Sequence, residues 1–139
     1  MRRIVLDTNC LLMVLPAKSM YHSVWQGFVD GTIEFCVSTE ILLEYEEILS
    51  RNVSPFMADI VLNALINRPN LVQVEPSWRW NLIEADKDDN KFVDCAIAAQ
   101  AEYIVSNDSH FKVLQQIDFP MVPFMRLDEF VAQIGESPQ

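Results

Sequence analysis

The stretch Arg3-Ile4-Val5-Leu6-Asp7-Thr8-Asn9 decides the fold class, because it joins a short apolar strand directly to a polar turn. Its three aliphatic residues, two of them β-branched, are typical of a buried strand. A carboxylate follows at once. In open α/β sheets, ligands bind in the crevice beyond the carboxyl ends of parallel strands. We therefore expect Asp7 to face a binding site.

The composition indicates a folded, acidic domain. The chain has 139 residues, of which 50% are hydrophobic and 22% charged, and these values exclude a disordered chain and a coiled coil. The net charge of −10 disfavours broad, non-specific binding to nucleic acid and suits a basic partner. The cysteines at positions 10, 36 and 95 lie in apolar contexts without a C-x-x-C pair. We expect them to be reduced core thiols.

The sequence predicts a cytoplasmic protein with no membrane partner. No stretch approaches the ~20 apolar residues that a membrane span requires. The polar residues from Asp7 to Asn9 interrupt the apolar run near the start before it can resemble the core of a signal peptide.

Strands alternate with helices along the chain, which predicts a three-layer α/β/α sandwich around a central, mainly parallel sheet. The predicted strands cover residues 4–6, 33–37, 71–74, 103–106 and 121–125, and two prolines make the last an edge strand. The predicted helices cover residues 10–15, 23–29, 39–50, 55–66, 89–101, 110–116 and 128–134. We expect one domain over residues 1–134 and a tail over 135–139.

Three acids occupy positions that favour a site. Asp7 and Asp108 each follow an apolar strand, although either is also explained as a helix cap or a turn residue. Asp94 is the only charge between Lys91 and Glu102, on a helix that is apolar nearly all round. Such a carboxylate needs a charged partner, a metal or, as the alternative, backbone donors.

Other acids have weaker patterns. Glu44 and Glu46 border opposite edges of the apolar stripe on their helix, and the periodicity does not choose between them. Asp89 is more typical of a helix N-cap than of a ligand. The acidic run over residues 86–89 is also explained as solvated loop.

Basic and aromatic residues near these acids have two interpretations. Lys91 and Lys112 flank the acids and are candidate phosphate contacts, although ordinary surface lysines are the simpler interpretation. We interpret His110 as a surface histidine. Trp78 and Trp80 are candidates for base stacking, but core packing or an oligomer contact is the preferred interpretation.

If the acids converge, they need a cation. Carboxylates within ~4 Å of each other repel by several kcal/mol in a partly buried site. A hard divalent ion such as Mg²⁺ or Mn²⁺ reverses that sign and prefers oxygen ligands, whereas the missing Cys/His set disfavours zinc. Ions held in this way support phosphodiester hydrolysis and admit a nucleic-acid backbone locally to an acidic protein.

Motifs spread over nearly the whole chain resemble the PIN-domain ribonucleases. These motifs are Asp7-Thr8-Asn9, Glu44, the run from Asp94 to Ala99, and Ser106-Asn107-Asp108. Segments 88–92 and 127–130 are similar to the branch of toxin components from bacterial toxin–antitoxin pairs. The resemblance implies Mg²⁺- or Mn²⁺-dependent cleavage of RNA, an antitoxin partner and a homodimer.

The resemblance also implies roles for individual residues. The acids carried over by position are Asp7, Glu44, Asp94 and Asp108, with Asp89 sharing or taking over the role of Asp94. The neighbours expected to orient carboxylates or water are Thr8, Asn9, Ser106 and Asn107.

Two other functions remain open: a non-catalytic PIN-like module that binds nucleic acid or protein, and an acidic receiver- or phosphatase-like domain. The aspartyl-phosphatase pattern requires a second Asp at position 9, where this chain has Asn.

Overall fold

A five-stranded sheet lies at the centre of the structure, a computed structural model that describes residues 2–136. The strands are β1 (Arg2–Leu6), β2 (Ile33–Val37), β3 (Leu71–Gln73), β4 (Tyr103–Val105) and β5 (Phe124–Met125). Their order is β3-β2-β1-β4-β5, and every pairing is parallel. Helices complete a three-layer α/β/α arrangement, so the predicted fold class is confirmed.

Six α-helices and two 3₁₀ helices lie within residues 2–136. The α-helices are α1 (Thr8–Val14), α2 (His22–Asp30), α3 (Thr39–Asn52), α4 (Pro55–Ile66), α5 (Asn90–Ala99) and α6 (Leu127–Glu136). The 3₁₀ helices are Lys87–Asp89 and Ser109–Gln116, so the segment predicted as a short helix near residue 110 has the tighter winding. None of the described helices is both long and apolar enough to cross a lipid bilayer.

Local chemistry moves three helix boundaries from their predicted positions. α1 begins at Thr8, directly after Asp7, and not at residue 10. α5 ends at Ala99 because Gln100 adopts a left-handed conformation with φ of 54°. α6 begins before Asp128, so the predicted cap at that residue is wrong. In its place, the Glu129 side chain accepts the backbone N–H of Arg126 at 3.1 Å.

The end of α6 differs from the predicted tail. Residues 135 and 136 belong to α6, and the rest of that tail, 137–139, lies outside the described residues. The domain boundary predicted at residue 134 stays a prediction.

The core is built around β1. Residues 4, 5 and 6 are each 0% exposed, because a parallel sheet covered on both faces buries every side chain of its central strands. Phe28 of α2 stacks on Phe35 of β2, with ring centroids 4.4 Å apart. The three cysteines are free and buried, as expected for core thiols.

The same sheet brings polar residues from several segments together at one edge. Leu6 of β1 pairs with Val105 of β4, and the Asp7 N–H continues the ladder by donating to the Val105 carbonyl at 3.0 Å. Helix α3 is fixed to this edge because the Tyr45 hydroxyl donates to the Leu6 carbonyl. The residues after β1, the residues after β4 and one turn of α3 therefore meet.

Truncation of a core ring tests this packing. We expect Phe35→Ala to lower the free energy of unfolding by about 3–5 kcal/mol, the cost of emptying a buried aromatic site. Phe56→Ala is the matched control, because Phe56 is 73% exposed and its loss should cost less than about 0.5 kcal/mol. Urea unfolding followed by circular dichroism measures both. Equal losses would contradict the assignment of Phe35 to the core.

Candidate metal centre

Asp7 lies at the centre of the site and is 7% exposed. Its Oδ2 accepts a hydrogen bond from the Ser106 hydroxyl at 2.7 Å, and the Ser106 Oγ accepts the N–H of Asp108 at 3.0 Å. Burial raises the pKa of Asp7, the Ser106 hydrogen bond opposes this, and the charges of Glu44 and Asp108 raise it further. The end of β1 is thus tied to the end of β4 through a carboxylate that is costly to ionise.

Glu44 joins this group from α3. Its Oε2 accepts a hydrogen bond from the Thr8 hydroxyl, and its Oε1 lies 2.8 Å from the Lys91 ammonium. Glu46, the other acid that the helical periodicity left open, is exposed. The structure therefore places Glu44, and not Glu46, beside Asp7.

Asp89 approaches from the turn before α5 and is 8% exposed. The Asn90 side chain fixes this turn, since it accepts the Ile83 N–H and donates to the Ile83 carbonyl, both at 2.9 Å. We call Asp7, Glu44, Asp89 and Asp108 the acid cluster.

Asp89 has a clearly raised pKa within the acid cluster. Burial raises the pKa of Asp89 to about 6, and the charges of Asp108, Asp86 and Asp7 add to this. The hydrogen bond from His110 acts in the opposite direction.

His110 links two members of the acid cluster. Its Nδ1 lies 3.2 Å from Oδ2 of Asp89 and 3.2 Å from Oδ1 of Asp108. The neighbouring Phe111 packs edge-on against Phe92 of α5, with centroids 6.5 Å apart, and so holds the two segments together. The His110 side chain is 39% exposed, so the histidine does lie at the surface, and it also contacts two acids there.

Asp86 is a further residue that the sequence interpretation missed. Ligand atoms of Asp86, Asp89 and His110 lie within 4.8 Å of one another. The available signal was spacing: an acid three residues before Asp89, and an imidazole two residues after Asp108. A solvated loop explains the same spacing equally well when the fold is unknown.

The donor set fits a divalent cation. Carboxylate oxygens suit Mg²⁺ or Mn²⁺. Burial is the main reason that the pKa values of Asp7 and Asp89 are raised, and the neighbouring acids add to the shift. A cation bound there would offset both effects.

Asp94 makes a different set of contacts. Its Oδ1 accepts the Trp80 N–H at 3.1 Å; burial raises its pKa, while this hydrogen bond and the Arg79 charge oppose the rise. It shares a cleft with Glu44 and Lys91, but its contacts do not place it with Asp7 and Asp108. The contacts of Asp94 in this structure match the alternative of a buried aspartate with a backbone donor. Asp89, not Asp94, lies with Asp7 and Asp108, and the role of either acid as a metal ligand stays a prediction.

The predicted supporting residues divide in the same way. Thr8 and Ser106 bind carboxylates of the acid cluster, as described above. Asn9 is exposed on the first turn of α1. Asn107 instead accepts the N–H of Leu127 at 3.0 Å, so it anchors α6.

The two candidate lysines differ in exposure, and the tryptophans do not both fit the predicted packing. Lys112 is exposed on a 3₁₀ helix, whereas the Lys91 side chain is only 8% exposed, so Lys91 is not a surface lysine. Trp78 is 65% exposed and meets Trp80 with centroids 6.1 Å apart, which does not fit core packing for Trp78.

Fold and site together define a class: an α/β domain that gathers acids beyond the carboxyl ends of parallel strands. The family profile of the PIN domain matches residues 3–110, and the chain belongs to the PIN domain family. The matched residues run from β1 through Asp108 and His110. No curated relative matches the sequence.

Solved structures share this fold at low identity. VapBC2 from Rickettsia felis, bound to a DNA fragment from its promoter, has a TM-score of 0.62 and 14% identity, over 89% of this chain and 98% of that one. DNA-bound VapBC from Salmonella typhimurium gives 0.59 and 13%, over 91% and 99%. The PIN domain endonuclease Utp24 gives 0.52 and 14%, over 89% and 84%. The family, with the acid cluster, supports a nuclease.

Neutralising Asp7 tests the repulsion within the acid cluster. We expect Asp7→Asn to stay folded and to raise the melting temperature in EDTA by about 2–4 °C, the shift that about 1 kcal/mol gives a domain of this size. The gain arises because a desolvated charge beside Glu44 and Asp108 is removed. Asp59→Asn, at an exposed acid on α4, is the control and should change nothing. A large loss of melting temperature for Asp7→Asn would contradict the repulsion.

The raised pKa of Asp89 predicts a pH dependence. Because its folded pKa of about 6 exceeds the value of about 4 in an unfolded chain, the folded state holds this proton more tightly. The resulting stability is complete below about pH 4 and is lost as the pH rises through 6.

Urea unfolding in EDTA between pH 5 and pH 7.5 measures this effect. The free energy of unfolding of the wild type should fall with rising pH relative to Asp89→Asn, while Asp59→Asn follows the wild type. Parallel pH profiles for the wild type and Asp89→Asn would show that Asp89 does not carry the effect.

Proposed function

We propose that the chain is a Mg²⁺- or Mn²⁺-dependent endoribonuclease that hydrolyses RNA phosphodiester bonds. The observation that carries the proposal is the meeting of Asp7, Asp89 and Asp108 at one edge of the sheet, with Glu44 beside them. Three separate segments supply these acids, and two of the acids have pKa values raised by burial. Such a group is costly unless a cation neutralises it, and PIN family membership supports a nuclease.

Asp7, Asp89 and Asp108 would hold the metal. When bound, a divalent ion supplies positive charge to the scissile phosphate and acidifies a water molecule for in-line attack. Ser106 fixes the orientation of the Asp7 carboxylate, and Thr8 does the same for Glu44. His110 Nδ1 contacts Asp89 and Asp108 and holds them at a common distance of 3.2 Å.

The exposed Lys112 lies two residues after His110 and is our candidate for a contact to substrate phosphate. Lys91 is a weaker candidate, because its ammonium is already paired with Glu44. The high negative charge of the chain disfavours RNA binding away from the metal. We therefore expect the affinity for RNA to depend on the cation.

We further propose that the protein acts in the cytoplasm as the toxin of a toxin–antitoxin pair and forms a homodimer. The resemblance of its motifs to toxin components supports this, as do the VapBC structures that share its fold. Exposed apolar side chains on α3 and α4, namely Leu43, Phe56 and Ile60, offer surface for protein contacts. The net charge of −10 suits a basic antitoxin.

The alternatives predict different binding. A receiver- or phosphatase-like domain is disfavoured by the PIN family match. A non-catalytic PIN-like module would bind neither Mn²⁺ nor Mg²⁺ with useful affinity, so calorimetric titration of the wild type separates it from the nuclease.

A cleavage assay tests the proposal. We expect purified protein to cut single-stranded RNA with Mn²⁺ and to lose activity in EDTA. Asp7→Asn and Asp89→Asn should each lower the rate by at least about 100-fold, since even outer-shell partners of a metal contribute 10–100-fold. Asp94→Asn should retain most of the activity because an amide oxygen still accepts the Trp80 N–H. Asp59→Asn is the matched control.

Two outcomes would change the assignment. Cleavage that survives both EDTA and Asp7→Asn would falsify the metal-dependent mechanism. A loss with Asp94→Asn but not with Asp89→Asn would return the third acid to Asp94. A DNA strand of the same sequence, run in parallel, tests the preference for RNA.

A further inference from the structure

Lys91 is a buried, fully partnered cation next to the acid cluster. Its side chain is 8% exposed, although lysine is almost never buried unless it is paired. The ammonium lies 2.8 Å from Glu44 Oε1, donates to the Asp88 carbonyl at 2.7 Å and lies 5.2 Å from the centroid of the Phe92 ring. Two oxygen partners and one aromatic ring therefore surround the ammonium and hold its charge in place.

These contacts divide the acid cluster into two parts. Both oxygens of Glu44 are occupied, one by Lys91 and the other by Thr8, and the carboxylate is neutralised by the ammonium. Within residues 2–136, the side-chain donor to Asp7 is the Ser106 hydroxyl alone. Asp89 and Asp108 share a single imidazole nitrogen. Asp7, Asp89 and Asp108 are therefore the carboxylates that a bound cation would stabilise most.

A second divalent ion would have to compete with Lys91. Two-metal sites for phosphodiester chemistry hold their ions about 3.5–4 Å apart and need carboxylates on both sides. Asp86 groups with Asp89, which already serves the first ion, so Glu44 is the remaining acid that could serve a second one. Lys91 is already bound to Glu44. Moving Lys91 away would leave a buried charge without its partner, which is strongly unfavourable.

We infer that Lys91 limits this centre to one divalent cation, because its ammonium neutralises Glu44 and takes the place of a second ion. The inference rests on the proposed metal-dependent function and deepens it by assigning the stoichiometry. Lys91 is thus a positioning residue whose effect is on metal number.

Counting bound Mn²⁺ tests the inference without reference to activity. Equilibrium dialysis, with free Mn²⁺ measured by electron paramagnetic resonance, should give one ion per wild-type chain. Lys91→Met and Lys91→Gln, which remove the charge, should each give two ions. Lys91→Arg keeps the charge and should give one, as should the matched control Lys18→Met at an exposed lysine. Adding Glu44→Gln to Lys91→Met should return the count to one.

The outcomes distinguish this inference from the proposed function. Two ions of similar affinity on the wild-type chain, or one ion on a Lys91→Met or Lys91→Gln protein with native circular dichroism, would overturn the role of Lys91 alone. The wild-type count decides the question even if both neutral variants fail to fold. No Mn²⁺ bound by the wild type at millimolar concentration would overturn the proposed metal-dependent nuclease, and this inference with it.

Discussion

The hydrogen bond from Ser106 to Asp7 is the contact on which the site depends. It exists because β1 and β4 are parallel neighbours whose ladder ends at Leu6 and Val105, so the next residue of each strand lies at the same edge. Two residues after Ser106, Asp108 donates its N–H to the same serine oxygen. A single buried hydroxyl thus links two acids that are 101 positions apart in the sequence. The parallel pairing of β1 with β4 determines its position between them.

Charge balance explains the rest of the arrangement. The chain collects four acids in a half-buried space and supplies them with unequal partners: Glu44 pairs with the Lys91 ammonium, while Asp89 and Asp108 share one imidazole nitrogen. Burial then raises the pKa of the carboxylates that are left, Asp7 and Asp89. A protein with a net charge of −10 has little general attraction for a polyanion, so its nucleic-acid chemistry would have to be local.

The most reliable sequence pattern was an apolar run with an acid shortly after it, as at Asp7 and Asp108. This pattern predicts both the buried strand and the position of the acid at the carboxyl edge of the sheet. Prolines 120 and 123 correctly indicated an edge strand, and the structure leaves only Phe124–Met125 in it. The sequence could not assign Asp94, because an isolated acid on an apolar helix has the same pattern whether it binds a metal or a backbone N–H. Trp80 supplies that N–H from an irregular segment. Its sequence has no hydrophobic periodicity from which its position over Asp94 could be predicted. The surface interpretation of Lys91 failed because burial by distant segments has no local signal in the sequence. The contacts of His110 with Asp89 and Asp108 likewise depend on the fold.

Asn107 connects the site to the end of the chain. It follows Ser106 directly, and its side chain accepts the first N–H of α6, a helix that begins 17 residues after the last position matched by the family profile. The loop that presents Asp108 is therefore braced by an element outside the region that defines the family. Shortening the chain to residues 3–110 would retain every carboxylate of the acid cluster but remove the helix that braces the Asp108 loop. The segment that defines the family is therefore shorter than the segment that holds the site in place.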